Sequence, residues 1–277
     1  MSTYVVAVSG GIDSVVLLDV FSKLKDQKVI VAHFDHGIRE DSSEDAAFVE
    51  LLAAQYGLPF ETRREVLGPD ASEEKARDRR YAFLRSVADA HNGRIVTAHH
   101  SDDVVETIAI NFVRGTGWRG LAVLDSDILR PLLRLSKNDI RKYAEEHALE
   151  WREDSTNASD AYLRNRLRRA TSLLHPDAKQ KLLALRRQQI EHKKQIKAAV
   201  IELIGPGPEY SRYFFTHIPA KAAIECLRYI TNAQLTRPQL ERVLLAIKTA
   251  QPKSSYHAGS GLTIDFTTRN FSLSLLK

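Results

Sequence analysis

Short apolar runs alternate with helical patterns through the first half of this chain, and few folds accept that rhythm. The runs fall at 4–8, 29–34, 60–64, 95–98 and 128–129, with helical spacing between them at 14–24, 43–56, 73–91 and 102–114. A strand that stays apolar on successive residues is buried on both faces, and strands joined by helices lie parallel. The expected fold is therefore α/β, a doubly wound, mostly parallel sheet with flanking helices. Ser72, followed by Glu73 and Glu74, is a good helix start: the hydroxyl caps free N–H groups and the acids suit the positive end of the dipole. Gly93 is expected to close that helix as a left-handed cap.

The character changes past residue 133. A helix is expected at 136–147, followed by the polar segment WREDSTNASD at 151–160 and long basic helices to about 202. IGPGPEYS at 204–211 reads as a loop by its prolines and glycines, with helices after it at 219–231 and 237–250. Leu262, Ile264 and Phe266, then Phe271, Leu273 and Leu275, alternate on either side of TTRN, which predicts a hairpin with one buried face. Two domains are expected: 1–170, and a smaller helical C-terminal domain, 171–277, that ends in the β-hairpin.

Composition narrows the class. A chain of 277 residues buries a full core, and 43% hydrophobic with 27% charged residues suits a globular protein in water. No apolar run nears the ~20 residues that span a bilayer, and the apolar start lacks a basic leader. Cys226 stands alone, which excludes an internal disulfide and any cysteine-only metal cage; a cytoplasmic location is expected. The net charge is +5, but between 163 and 197 eleven Lys and Arg face only Asp177 and Glu191. Such a stripe either tracks a phosphate backbone or forms a solvated helix face.

In YVVAVSGGIDSVVLL, 4–18, a strand delivers the chain to a small-residue turn and a helix starts at once. Glycines let a ligand approach the backbone, and the first N–H groups of the helix, with its dipole, favour an anion. Ser9 and Ser14 add hydroxyls. Asp13 is out of place beside a bare phosphate and makes sense with a cation such as Mg2+ between them. Neither G-x-x-x-x-G-K-[ST] nor G-x-G-x-x-G is present. Without further context the turn also reads as an ordinary strand-to-helix connection.

S-G-G-x-D-S after an N-terminal strand resembles the PP-loop of the N-type ATP pyrophosphatases. The further stretches HFDHGIRE at 33–40, ARDRRYAFL at 76–84, TAHHSDDVVETIAINFVRGTGWRGL at 97–121, RPLL at 130–133 and WREDSTNASDAYLRNRLR at 151–168 follow in order. Together they resemble tRNA(Ile)-lysidine synthases, in a short form, over roughly the first 170 residues. The resemblance implies ligation of L-lysine to C2 of the wobble cytidine of a tRNA(Ile) with a CAU anticodon. ATP and Mg2+ are the implied cofactors, and a homodimer is plausible by resemblance alone.

It also implies site residues. Ser9, Gly10, Gly11, Ile12, Asp13 and Ser14 would bind ATP, with Asp13 and Asp35 at the metal. Asp35, Asp103 and Arg114 are the catalytic candidates, and Asp102, Glu106, Arg164 and Arg168 the substrate-binding ones. The spacing is consistent with this. Asp103 and Glu106 are three apart on one helix and Asp102 and Glu106 four apart, so they share a face, and lysine's two ammonium groups need carboxylate partners. His99 and His100 read as helix-entry residues or metal ligands, and Trp118 and Trp151 as core or as base-stacking platforms. Three rivals stay open: a tRNA thiolase of the same superfamily, a small-molecule ligase, and a catalytically silent RNA-binding relative.

Overall fold

The computed structural model describes residues 1–37, 42–68, 72–152, 163–205 and 207–275, without the side chains of 163–165. They divide into two compact units, Met1–Gln189 and Ile190–Lys277.

In the first unit, β1 (Ser2–Ala7), β2 (Gln27–Asp35), β3 (Phe60–Arg64) and β4 (Arg94–Val96) form a parallel sheet in the order β3-β2-β1-β4. Leu129 extends it through a parallel bridge to Val96, where a fifth strand was expected. Between the strands run α1 (Ile12–Ser22), α2 (Ser42–Gln55), α3 (Glu73–Ala90) and α4 (Ser101–Val113). Successive side chains of a strand point to opposite faces, and the packing follows that alternation. Val6, Val29 and Val31 pack on one face with α1, α2 and α5 (Lys137–Glu146), whereas Val5, Ile30 and Ala32 pack on the other with α3. The sheet is thus buried on both sides, as its uninterrupted apolar runs require.

Asp19, 4% exposed on α1, ties three elements together. It accepts hydrogen bonds from Lys23 Nζ at 2.7 Å, Tyr143 Oη at 2.8 Å and Tyr56 Oη at 3.0 Å. Burial pushes its carboxyl up, but the bonds from Lys23, Tyr143 and Tyr56 outweigh this and hold it below the ordinary Asp value. Burial, with the bond to Asp19, pushes Tyr56 up to about 12.

Ser72 caps α3 as expected, accepting from the Lys75 N–H at 3.2 Å. The far end of α3 corrects the expectation for Gly93. The left-handed residue is Asn92, at φ 47°, while Gly93 N–H closes the turn on Ala88 O at 2.8 Å. The space at Gly93 is tight: a Cβ there would meet Thr3 Cγ2 at 3.1 Å on the adjacent strand β1.

The expected basic helices are α6 (Leu163–Ser172) and α7 (Pro176–Ile204). Leu182 and Leu183 of α7 pack with Val104 and Ile108 of α4 in the first unit. In the second unit α8 (Arg212–His217), α9 (Ala220–Ile230) and α10 (Arg237–Thr249) accompany an antiparallel sheet. Its strands are β5 (Glu209–Ser211), β6 (Ser255–Gly259), β7 (Leu262–Phe266) and β8 (Asn270–Leu275), in the order β5-β8-β7-β6. The expected hairpin is β7–β8, closed by Phe266 opposite Phe271. Leu262, Ile264, Phe266 and Phe271 face the core, but Leu275 is 67% exposed because the buried face ends before it.

Candidate active site

The parallel strands end at one edge, and the loops beyond them bound a cleft of about 1450 Å3. Ligands of open α/β sheets bind at such an edge, where the strand order reverses. Here the reversal lies between β1 and β4.

The glycine turn forms one wall. Gly10 takes φ +90°, a conformation that strains any L side chain whatever the space around it. Ser14, 5% exposed, serves the turn itself: its hydroxyl donates to Gly11 O at 2.8 Å and accepts from Ser9 N–H at 3.1 Å. Ser14 therefore organises the backbone, and Ser9 is the exposed hydroxyl of the pair. The N–H groups of Gly11, Ile12 and Asp13 precede the first hydrogen bonds of α1, from Ser14 and Val15 to Gly11 O. They have no protein acceptor among the described residues, which is the arrangement an anion needs.

The opposite wall starts at the N-terminus of α4. His100 caps that helix, and Asp103 closes the capping box by accepting the His100 N–H at 2.8 Å. The buried imidazole lies among three carboxylates, with Nε2 3.5 Å from Asp103 and 3.8 Å from Asp13, and Nδ1 3.8 Å from Asp102. His99 Nδ1 meets Thr97 Oγ1 at 2.8 Å. Both histidines are helix-entry residues, and among the described residues no group of three or more His, Cys, Asp or Glu side chains is arranged to hold a metal ion by itself.

Two neighbouring carboxyls are driven apart. Burial raises Asp103 above the ordinary Asp value against the opposing pull of His100. Burial also acts to raise Asp102, but the hydrogen bonds from Lys179 Nζ and the Lys137 N–H outweigh it and hold Asp102 below that value. Those bonds are 2.7 and 2.9 Å long. Divergence of this kind between adjacent acids separates a proton acceptor from a permanent charge.

The remaining acids carry cations too. Glu106, 2% exposed, accepts from Arg168 Nε at 2.9 Å. Asp35, 5% exposed at the end of β2, accepts from Gly37 N–H at 2.8 Å and lies 3.3 Å from Arg64 Nε. Asp13 faces Lys137 Nζ. For Mg2+ the set is partial: Asp13 and Asp35 both line the cleft and can each lend an oxygen. Mg2+ commonly takes one or two carboxylates and completes its shell with phosphate and water.

The structure thus brings Ser9, Gly11, Ile12, Asp13, Ser14, Asp35, Asp102, Asp103, Glu106 and Arg168 to one cleft, with Gly10 buried beneath the turn. Arg114 is not among them. It is the exposed C-cap of α4, 13 residues long, which sets it about 20 Å along the helix axis from the acidic start. The Arg164 side chain falls outside the described residues, as do most of WREDSTNASD and the end of HFDHGIRE. Trp151 packs partly buried against the α1 cluster, and Trp118 lies under the Arg119 guanidinium at 4.5 Å. Lys137, Lys179 and Arg64 are partners that sequence reasoning missed.

A family model for the PP-loop domain matches residues 1–174. A tRNA(Ile)-lysidine synthase of Solibacter usitatus is 43% identical over 169 residues, covering 59% of this chain and 38% of that protein. One from Thermus thermophilus is 34% identical over 258 residues, covering 87% of this chain and 51% of that protein. The chain thus spans about half, or less, of the length of these relatives. Among solved structures, the U34-tRNA thiolase NcsA of Methanococcus maripaludis with its 4Fe–4S cluster aligns with a TM-score of 0.58 at 17% identity. That alignment covers 69% of this chain and 72% of the thiolase, and at this identity it speaks for the fold alone.

Proposed function

The chain belongs to the PP-loop domain family, and from that premise we propose that it joins L-lysine to C2 of the wobble cytidine of a tRNA(Ile) with a CAU anticodon. ATP is consumed, and AMP and pyrophosphate are released. One observation carries the reading: the glycine turn, the half-buried Asp103 and the buried Glu106 line the same cleft. Relatives named for this activity support it.

The chemistry divides into two steps. The cytidine C2 oxygen attacks the α-phosphorus of ATP, and the bond to the β-phosphate breaks with its electron pair leaving on pyrophosphate. The N–H groups after Gly10 hold that departing anion. Asp13 and Asp35 would hold Mg2+ here, and the ion would supply positive charge against that leaving group. The ε-nitrogen of lysine then attacks C2 and AMP leaves. Lysine's ammonium, with a pKa of about 10.4 in water, must first give up a proton. Asp103 is the acceptor in this reading, because burial has raised its affinity for one.

Glu106 holds lysine's other ammonium, which takes over the charge that Arg168 now balances. Asp102, anchored by Lys179 and Lys137, keeps the site anionic. Arg114 and Arg164 are assigned to the tRNA, as is the basic face of α7. The thiolase rival lacks support in the thiol: Cys226 is buried in the core of the second unit, and burial raises its pKa.

The test uses purified protein, ATP, Mg2+ and labelled lysine with two transcripts, tRNA(Ile) and elongator tRNA(Met), both with CAU anticodons. Label on the first alone is expected. Pyrophosphate release without label on either would discard lysine ligation while keeping the nucleotide chemistry.

A further inference from the structure

The sequence contains no P-loop lysine, the ammonium that reaches nucleotide phosphates beside a glycine turn. It also sets Asp13 in the first turn of α1, where a phosphate bound at the turn would meet an anion at close range. A cation stands at that point. Lys137 Nζ lies 2.6 and 2.7 Å from the two carboxyl oxygens of Asp13, although the residues are 124 apart in the chain.

Its placement is constrained from several sides. Lys137 opens α5, whose first turn is set by the Ser136–Asp139 capping box. Its own N–H donates to Asp102 Oδ2 at 2.9 Å, so one residue ties the phosphate turn to the acidic start of α4. Ile140 and Ala144 of α5 are fully buried in the cluster that includes Val15 and Leu17 of α1. Yet the pair is not sealed. The Lys137 side chain is 39% exposed, that of Asp13 30%, and both line the cleft.

We infer that Lys137 is the phosphate-binding cation of this site, an inference that rests on the ATP reading above. An ammonium has three donors; two serve Asp13, and the third turns to the pyrophosphate portion of ATP. Asp13 then orients that cation while keeping lone pairs to lend to Mg2+, and Lys137 balances its charge next to the phosphates. Lys137 thus supplies from α5 what a P-loop supplies from within its own motif.

A purely structural ion pair between α1 and α5 makes a different forecast, and nucleotide titration of the full chain separates the two. ATP with Mg2+, and AMP alone, are titrated without tRNA or lysine into the wild type, Lys137→Met, Lys137→Arg and Lys142→Met. Lys142, in an exposed pair with Glu146 on the same helix, is the control. Lys137→Met is expected to weaken ATP binding about tenfold or more, as loss of a charge-assisted contact does. AMP affinity is expected to hold, Lys137→Arg to recover most of the loss, and Lys142→Met to match the wild type. Equal losses for ATP and AMP, or none, in a folded Lys137→Met would overturn the inference. If Lys137→Met does not fold, Lys137→Gln, which keeps a hydrogen bond to Asp13 without the charge, is read in the same way. Wild-type protein that binds ATP but never ligates lysine would sink the lysidine reading and leave Lys137 standing. Wild-type protein that binds no ATP would sink both.

Discussion

In the first unit four parallel strands end on a single edge, whereas in the second four antiparallel strands end by turns on opposite edges. Both bury apolar cores of valine, leucine, isoleucine and phenylalanine. Only in the first do the loops after the strands gather Asp13, Asp35, Asp102, Asp103 and Glu106 around one opening. On the second unit's part of α7, Lys194 and Lys197 are exposed. Core composition alone therefore does not separate a reactive region from a structural one; strand direction does, because it decides where polar groups meet.

The sharpest test of that contrast is Asp103→Asn. Removing a general base of this kind is expected to lower kcat about 100- to 10,000-fold while ATP still binds. The wild-type pH profile should show the same group. Asp103 accepts a proton only when ionised, so activity appears as pH rises through its raised pKa, and the acid limb should lie above the ordinary 3.8. An acid limb that survives in Asp103→Asn would assign the base elsewhere.

Phe271→Ala probes the other side. This side chain, 1% exposed, packs against Phe215 at a ring distance of 5.1 Å, and its loss should cost about 3–5 kcal/mol of stability in the second unit. ATP affinity, set in the first unit, should hold at temperatures where the second has melted. A parallel fall would erase the division of labour.

Asp19→Asn is expected to cost about 1–3 kcal/mol by denaturant unfolding at pH 7, since three hydrogen bonds lose their charged acceptor. The folded carboxyl lies below the ordinary value. Its contribution is therefore complete above the unfolded pKa of about 3.9 and is lost as pH falls through the lower folded value. The gap between wild type and variant should close in that acid window; a constant gap would point to packing instead. The smallest effect is expected for Lys194→Ala and Lys197→Ala. Each should reduce the slope of log affinity for tRNA against log salt by about one, and unchanged slopes would make this face merely solvated.

Much of the first unit was legible because burial on both faces of a parallel strand writes itself as an apolar run, and amphipathic helices as a 3.6-residue period. The second unit was read less completely. β5 and α8, three and six residues long, lie in or beside IGPGPEYS, where prolines and glycines signal a loop and the segments are too short to show a period. The end of α3 was misread because Asn, like Gly, tolerates the left-handed region, and Gly93 answers instead to crowding from Thr3. In the site, the glycine turn and the acids of α4 were readable from local spacing. Their cations were not: Lys137 is 124 residues from Asp13, Lys179 is 77 from Asp102, and no periodicity spans such gaps.

The strand order has a consequence in time. β1 is flanked by β2 and β4, and Tyr4 finds its partner Arg94 only after about 90 further residues have been made. At about 5–20 residues per second of synthesis, that is a wait of roughly 5–20 s. Throughout it, an apolar strand has one edge unpaired and open to the wrong neighbour. The phosphate turn waits longer, because the lysine that balances Asp13 is translated after every strand of that sheet. The nascent chain therefore completes its sheet before its charge, and a ribosome that pauses between residues 64 and 94 would hold it at its most adhesive stage.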